Sequence, residues 1–257
     1  MSKYTYTTFT SNAGHSTKSP GASGYGYKEH EQARRCNKAF IKHMKARGYS
    51  VIDTTSEARN KAAVLQEQVA KANKAGKGKD VLHLSYHLNA ASGSAAGTEV
   101  LYYGKETKEL AAKVSAAVAK ALGIKDRGPK ERKDLFFLAK TTSHAILIEV
   151  CFISNDGDMK KFDDNYDKAM AAVADVLVGS FDSSTKLSPS STVSTGKIAS
   201  YKGASLVDGL KSAGIDSSFS NRANLAVIYG IVKTTSQYKG TAAQNTALLK
   251  AMRGDAK

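Results

Sequence analysis

The run Ala145-Ile146-Leu147-Ile148-Glu149-Val150-Cys151-Phe152-Ile153 surrounds a single acid with apolar residues. A strand with one wet face alternates apolar and polar residues, and this one does not. Such a run suits a strand covered on both sides, as in the interior of a parallel sheet. Residues 81–88, VLHLSYHL, read as a second buried strand. Helical patterns lie around these runs. Phe40 and Met44 share a face in residues 29–47 before Gly48, and Val51 and Ile52 then open a strand. Residues 57–75 read as a helix and 99–103 as a further strand. Over residues 105–122, Leu110, Val114, Val118 and Leu122 line one helical face before Gly123, a glycine placed to end it. Residues 134–139 are a strand candidate. Residues 159–179 close the series as a helix with Tyr166, Met170, Val173 and Leu177 on one side. This alternation predicts an α/β fold, a three-layer domain whose mostly parallel central sheet is flanked by helices.

One segment breaks the pattern. Residues 183–197, SSTKLSPSSTVSTGK, are rich in Ser and Thr and have little to bury, a composition that suits a linker. The expected organisation is therefore a domain at 1–182, a linker at 183–197 and a small, mainly helical domain at 198–257. The tail echoes itself, with Tyr201-Lys202-Gly203 and Tyr238-Lys239-Gly240 each opening a helix-like stretch. A third stretch, Arg222 to Tyr229, is entered through Ser220-Asn221, a capping pair.

Composition narrows the partners. Lys and Arg number 38 against 23 Asp and Glu, a formal charge of +15, which favours a polyanionic partner: nucleic acid, an anionic membrane or the polymers and peptide carboxylates of a Gram-positive wall. No aromatic-basic RNA motif, helix-turn-helix or zinc finger supports nucleic acid. No apolar run reaches the length of a membrane span, so membrane insertion is not expected. The polar start Met1-Ser2-Lys3-Tyr4-Thr5 lacks the pattern of a signal peptide, so synthesis in a cytoplasm is expected. Cys36 and Cys151 have no metal-type spacing and read as buried, reduced thiols.

Four residues stand out for chemistry. His15 follows Ala13-Gly14 in a glycine-rich loop, Glu29 opens the first long helix, His87 ends a strand, and Glu149 interrupts the apolar run. A catalytic zinc takes three protein ligands, commonly His and carboxylate, and a carboxylate outside that set can act as base and then acid. Two His and two Glu at strand and helix ends can supply such a set. Each residue also has a plainer reading. His15 suits an ordinary loop, Glu29 complements a helix N-terminus, and His87 serves equally as a hydrogen-bonded core residue. Glu149 resists the plain reading, because burying an unpaired carboxylate costs several kcal/mol. It needs a partner, and a metal-bound water or a basic side chain are the natural choices.

The stretches AGH (13–15), GASGYGYKE (21–29), SYHLNA (85–90) and ILIEVCFISN (146–155) occur in the order seen in the type 3 zinc N-acetylmuramoyl-L-alanine amidases, which this chain resembles over about residues 5–180. The resemblance implies one zinc ion held by His15, Glu29 and His87, with Glu149 as the catalytic acid/base. It implies hydrolysis of the amide joining N-acetylmuramic acid to the L-alanine of the peptidoglycan stem peptide. Two departures stand out: Ser16-Thr17-Lys18 replace the family's glycine pair and Asp, and Tyr86 replaces an aliphatic residue. Glu31 is a rival to Glu29, which the helix length favours. His30 and His43 read as solvated helix residues and His83 as a core residue on the face of His87. His144 is unassigned, and Asn73, Asn89 and Asn155 are read as fixing loops.

Residues 201–231 and 238–252 resemble the wall-binding domain of amidases from Bacillus phages and prophages. Eight Lys and Arg against three Asp give residues 198–257 a charge of +5, which suits an anionic Gram-positive wall polymer. The whole then reads as a phage or prophage endolysin that acts on the wall after release. A zinc peptidase acting on wall cross-links and a non-catalytic basic binding protein are the competing readings.

Overall fold

The computed structural model describes residues 6, 8–77, 80–92, 94–182, 198, 201–215, 217, 219–232 and 237–254. The Ser/Thr-rich segment 183–197 lies outside the described residues. The chain divides into two compact units.

The larger unit runs β1 (Thr8–Ala13), β2 (Ser23–Gly24), β3 (Tyr27–Lys28), α1 (Glu29–Ala46), β4 (Val51–Asp53), α2 (Lys61–Gly76), β5 (Val81–Asn89), β6 (Thr98–Tyr102), α3 (Lys105–Leu122), β7 (Asp126–Glu131), α4 (Phe136–Lys140), β8 (His144–Phe152) and α5 (Asp156–Asp182). Six strands form the central sheet in the order β4-β1-β5-β8-β6-β7. All neighbours are parallel except β6 and β8, which pair antiparallel. This is the mostly parallel α/β architecture that the apolar runs predict.

Side-chain alternation separates two faces. Leu82, Leu84, Tyr86 and Leu88 of β5 and Ile146, Ile148 and Val150 of β8 belong to the main core. Cys36, Phe40 and Met44 of α1, Val114 and Val118 of α3, and Phe162, Met170 and Val173 of α5 join them. The other face is only partly apolar: Leu101, Ala145 and Leu147 pack with Val69 of α2 and Phe137 and Leu138 of α4. On that face β1 and β5 carry a polar row. Thr10 Oγ1 lies 2.8 Å from His83 Nδ1, and Ser85 Oγ donates to Asn12 Oδ1 at 2.7 Å. The sheet thus has a greasy side and a side able to hold chemistry.

Three local expectations are corrected. Residues 134–139 are not a strand, because Phe136–Lys140 forms the short helix α4. A five-residue apolar cluster carries too little periodicity to separate strand from helix. The helix expected from residue 57 begins at Lys61, where the Asn60 side chain caps it by accepting from Ala63 N at 2.9 Å. Strands β1 and β7 were not foreseen: one is Thr- and Ser-rich, the other, DRGPKE, an edge strand with no apolar face. Helix α3 ends as expected, with Gly123 in the left-handed region at φ 70.

The smaller unit holds α6 (Leu206–Ser212), α7 (Phe219–Ile228) and α8 (Ala242–Arg253). Leu206, Leu210, Leu225, Tyr238, Leu248 and Met252 form its core. Ser205 and Thr241 cap α6 and α8. Ser220 and Asn221 are not a cap, since α7 has already begun at Phe219. Cys36 and Cys151 are free and buried, as expected. Among the described residues no helix is long and apolar enough to cross a membrane.

Phe162 of α5 is fully buried. Phe162→Ala is expected to cost about 3–5 kcal/mol, read as a lower urea midpoint at unchanged slope. A cost under about 1 kcal/mol would remove α5 from the core that supports the sheet.

Candidate functional site

The carboxyl ends of β1 and β5 lie side by side, with Ala13 opposite Tyr86. The chain leaves β1 through Gly14, whose N–H donates to Tyr86 O at 2.9 Å, and presents His15 immediately. Ser16 secures the loop: its backbone pairs with Ser19 and its hydroxyl donates to Ala58 O at 2.6 Å. The departure from the family's glycines at this point therefore builds a closed turn. Arg34 donates to His15 O at 3.1 Å and ties the loop to α1.

Glu29, the first residue of α1, is the hub. Its Oε1 lies 3.2 Å from His15 Nε2 and 3.0 Å from His87 Nδ1, and accepts from Leu88 N at 3.2 Å. Its Oε2 accepts from Ala22 N at 2.8 Å. Burial alone would push this carboxyl up, but hydrogen bonds from His15 and His87 outweigh burial and hold it well below the carboxylate range. One ligand atom from each of His15, Glu29 and His87 falls within 4.8 Å of the others, a spacing that can hold a metal ion. Two glycines make room for the cluster. A Cβ on Gly14 would stand 1.9 Å from His87 Nε2, and one on Gly21 would stand 2.4 Å from Glu29 Oε2. Gly21 also has φ 75, where a side chain strains the backbone.

Glu149 reaches the same place from the next strand, since His87 and Glu149 are register partners across β5 and β8. Its Oε2 is shut off from solvent and has no hydrogen-bond partner among the described residues. Burial, and then the charges of Glu29 and Glu99, push its carboxyl up to about 8, while Arg132 pulls the other way. Glu99 sits opposite Glu149 on β6 and is held by Arg127 Nε at 2.7 Å and Asn89 Nδ2 at 2.9 Å. The four residues open onto a cavity of about 440 Å³, whose walls include Val64, Leu65, Leu135, Phe136, Lys61 and Arg132.

Glu29, not Glu31, meets the histidines: Glu31 is half exposed and lies 3.7 Å from Lys28. His30 and His43 are not solvated. His30 is buried, and His43 Nε2 lies 3.0 Å from Asp167. His83 is buried on the face of His87, with its pKa pushed down by burial to about 4. His144 sits at the opposite end of β8, 3.1 Å from Tyr6 Oη, and does not line the cavity. Asn73 and Asn155 fix loops through Thr142 N and Asp158 N. The sequence reading passed over Glu99 and Arg132. A second acid in the short apolar strand TEVLY was the available signal for Glu99.

Fold and cluster define a class: an α/β protein with a metal-capable His/Glu/His site and a buried carboxyl beside it at the carboxyl ends of its central strands. Residues 12–177 match the family described as N-acetylmuramoyl-L-alanine amidase, and the chain belongs to that family. It is 31% identical over 173 residues to the N-acetylmuramoyl-L-alanine amidase LytC of Bacillus subtilis, covering 64% of this chain and 34% of the relative. It is 32% identical over 152 residues to the endolysin of Bacillus phage SPP1, covering 56% of this chain and 54% of the relative. The chain thus spans about a third to a half of these relatives. The solved catalytic domain of CD27L endolysin, targeting Clostridia Difficile, shares the fold with a TM-score of 0.60 and 24% identity, over 68% of this chain and 98% of that one.

The Glu149 shift yields a pH prediction for the metal-free protein. Its folded value, about 8, exceeds the ordinary 4.5, so the protonated carboxyl favours folding fully below pH 4.5. That contribution is lost as pH rises through about 8. Glu149→Gln cannot titrate, so its stability relative to wild type should improve on the order of 4 kcal/mol from acid to mild alkali. A difference independent of pH, by urea denaturation, would contradict the buried neutral carboxyl.

Proposed function

We propose that this chain hydrolyses the amide between N-acetylmuramic acid and L-alanine in peptidoglycan, with one zinc ion held by His15, Glu29 and His87 and with Glu149 as acid/base. The observation that carries the reading is the register of β5 and β8, which pairs His87 with Glu149 beside the three-residue cluster. The donor set fits zinc: two imidazoles and a carboxylate are borderline ligands suited to it, and three leave a position open. The glycine cradle at 14 and 21 and the unpartnered Glu149 Oε2 also fit. Zinc, when bound, supplies Lewis-acid polarisation of a carbonyl and acidifies water.

The chain's own groups have separable tasks. His15 and His87 are oriented by the Glu29 carboxylate, and Glu29 is oriented in turn by Ala22 N and Leu88 N. Glu149 takes a proton from the attacking water at its carboxylate and returns it to the leaving nitrogen of L-alanine. With its value pushed up to about 8, this carboxyl is partly ionised in mild alkali, where the ionised form accepts the water's proton and the protonated form returns it. The apolar walls from α2 and α4 exclude bulk water from the reacting bond.

In this reading residues 1–182 are the catalytic domain, 183–197 a linker and 198–257 a domain that binds a Gram-positive wall polymer. Exposed lysines 202, 211, 239 and 250 give the second domain a basic surface. The similarity to the phage SPP1 endolysin supports a lysin that meets the wall after release.

Digestion of purified Bacillus-type walls tests the reading. Wild type should clear the suspension and expose new L-alanine N-termini. Glu149→Gln should keep its zinc and lose at least about 100-fold in rate, whereas His87→Ala should lose both zinc and rate. Near wild-type turnover in Glu149→Gln would overturn the assignment. Gly14→Ala, which drives a methyl into the His87 ring, should lower zinc affinity by about 10–100-fold in competition with a chelator. Unaltered affinity would show that His87 is not a ligand.

A further inference from the structure

Two cations on one wall of the pocket, Arg132 and Lys61, take no proton and hold no ligand in the chemistry above. Arg132 follows the last residue of β7, with its N–H donating to Tyr102 O at 2.8 Å. Asp134 grips its guanidinium twice, Nε to Oδ1 and Nη2 to Oδ2, both at 2.8 Å. A guanidinium has five N–H groups, so three stay available to a ligand. The grip also fixes the plane of a side chain that otherwise carries about 2 kcal/mol of rotamer freedom. The Arg132 side chain is 45% exposed, open to an incoming group while still lining the cavity. Helix α2 brings a second cation, Lys61, to the same cavity, and Leu65, Leu135 and Phe136 supply apolar wall.

This inference rests on the amidase reading. Once the lactyl carboxyl is in amide linkage, the sugar side of the scissile bond carries no charge, and the anionic groups lie on the peptide side. An apolar wall edged by cations fits short alkyl groups interspersed with carboxylates, and offers little to a ring of hydroxyls. The geometry points to Arg132, oriented by Asp134, as the specificity residue that takes a carboxylate of the stem peptide on the leaving side of the amide, with Lys61 as its second cation. A preoriented guanidinium can engage that carboxylate through paired N–H donors, which selects an acidic peptide over its amidated form.

Two probes test this: N-acetylmuramoyl-L-alanyl-D-glutamate and its diamide. A charged hydrogen bond of the usual strength predicts that zinc-loaded wild type prefers the acid by about tenfold or more in kcat/KM. Arg132→Gln should collapse that ratio toward one, through a higher KM for the acid, and Asp134→Asn should reduce it in the same direction. An absent wild-type preference, an equal loss on both probes, or a fall in kcat at constant KM would overturn the assignment. If wild type cleaves neither probe, the amidase reading fails separately. Calorimetric binding of both probes to zinc-loaded Glu149→Gln then decides this one: an acid preference abolished by Arg132→Gln upholds it, and equal or undetectable binding refutes it.

Discussion

The parallel pairing of β5 with β8 is the constraint on which the rest of the molecule depends. It aligns Leu84 with Ile146 and Tyr86 with Ile148 on one side, and Ser85 with Leu147 and His87 with Glu149 on the other. Side chains repeat every two residues, so a slip by one position would send Glu149 into the core and expose isoleucines to the cavity. The apolar side, packed by α1, α3 and α5, makes that slip prohibitive. Core packing therefore fixes the chemistry: the tighter the greasy face, the less freedom for the carboxyl beside His87. The polar row on the other face is tolerated because its members satisfy one another, Thr10 with His83 and Asn12 with Ser85.

Two carboxyls only a strand apart are driven in opposite directions by what surrounds them. Glu29 collects two imidazoles and two backbone N–H groups and stays ionised. Glu149 finds no donor at Oε2 and faces the charges of Glu29 and Glu99, so it holds its proton. Glu99 is held in place beside it by Arg127 and Asn89, and Arg127 in turn lies over the Phe152 ring at 5.0 Å. This division of one ligand-like and one proton-holding carboxyl arises from hydrogen-bond supply, because both groups are removed from bulk water.

The elements that could be read from sequence are those whose burial is uniform. β5, β8, α3 and α5 present either continuous apolar runs or a clear helical stripe, and their bounds fall close to expectation. β1 and β7 escape because their side chains answer to partners far away in sequence: Thr10 to His83 and Asn12 to Ser85 in one case, and Asp126 to Ser115 in the other. α4 escapes because five residues carry no period. At the site, His15, Glu29, His87 and Glu149 were legible through four ordered motifs and not through spacing, since 14 to 62 residues separate neighbours in the set. Glu99 and Arg132 belong to no such motif. Their place beside Glu149 comes from the antiparallel pairing of β6 with β8 and the parallel pairing of β7 with β6, a topological fact that the sequence does not announce.

The smaller unit divides its cations by chemistry. Arg222 donates to Asn245 Oδ1 at 3.0 Å and to Ser217 O at 3.1 Å, and Asn245 also accepts from Tyr238 of the second Tyr-Lys-Gly turn. Arg253 donates to Gly203 O of the first such turn and lies over the Tyr201 ring. Each repeated turn is thus pinned by an arginine from a helix remote in sequence, a use that exploits a planar fork of donors. The lysines of the same turns, Lys202 and Lys239, point to solvent, as do Lys211 and Lys250. A unit this small has few apolar residues with which to define its turns, so arginine networks take over part of that work. The exposed positive charge of the unit at these turns and helices then comes from lysines and not from the two arginines. Internal and solvent-facing charge are therefore carried by different residue types, arginine for the first and lysine for the second.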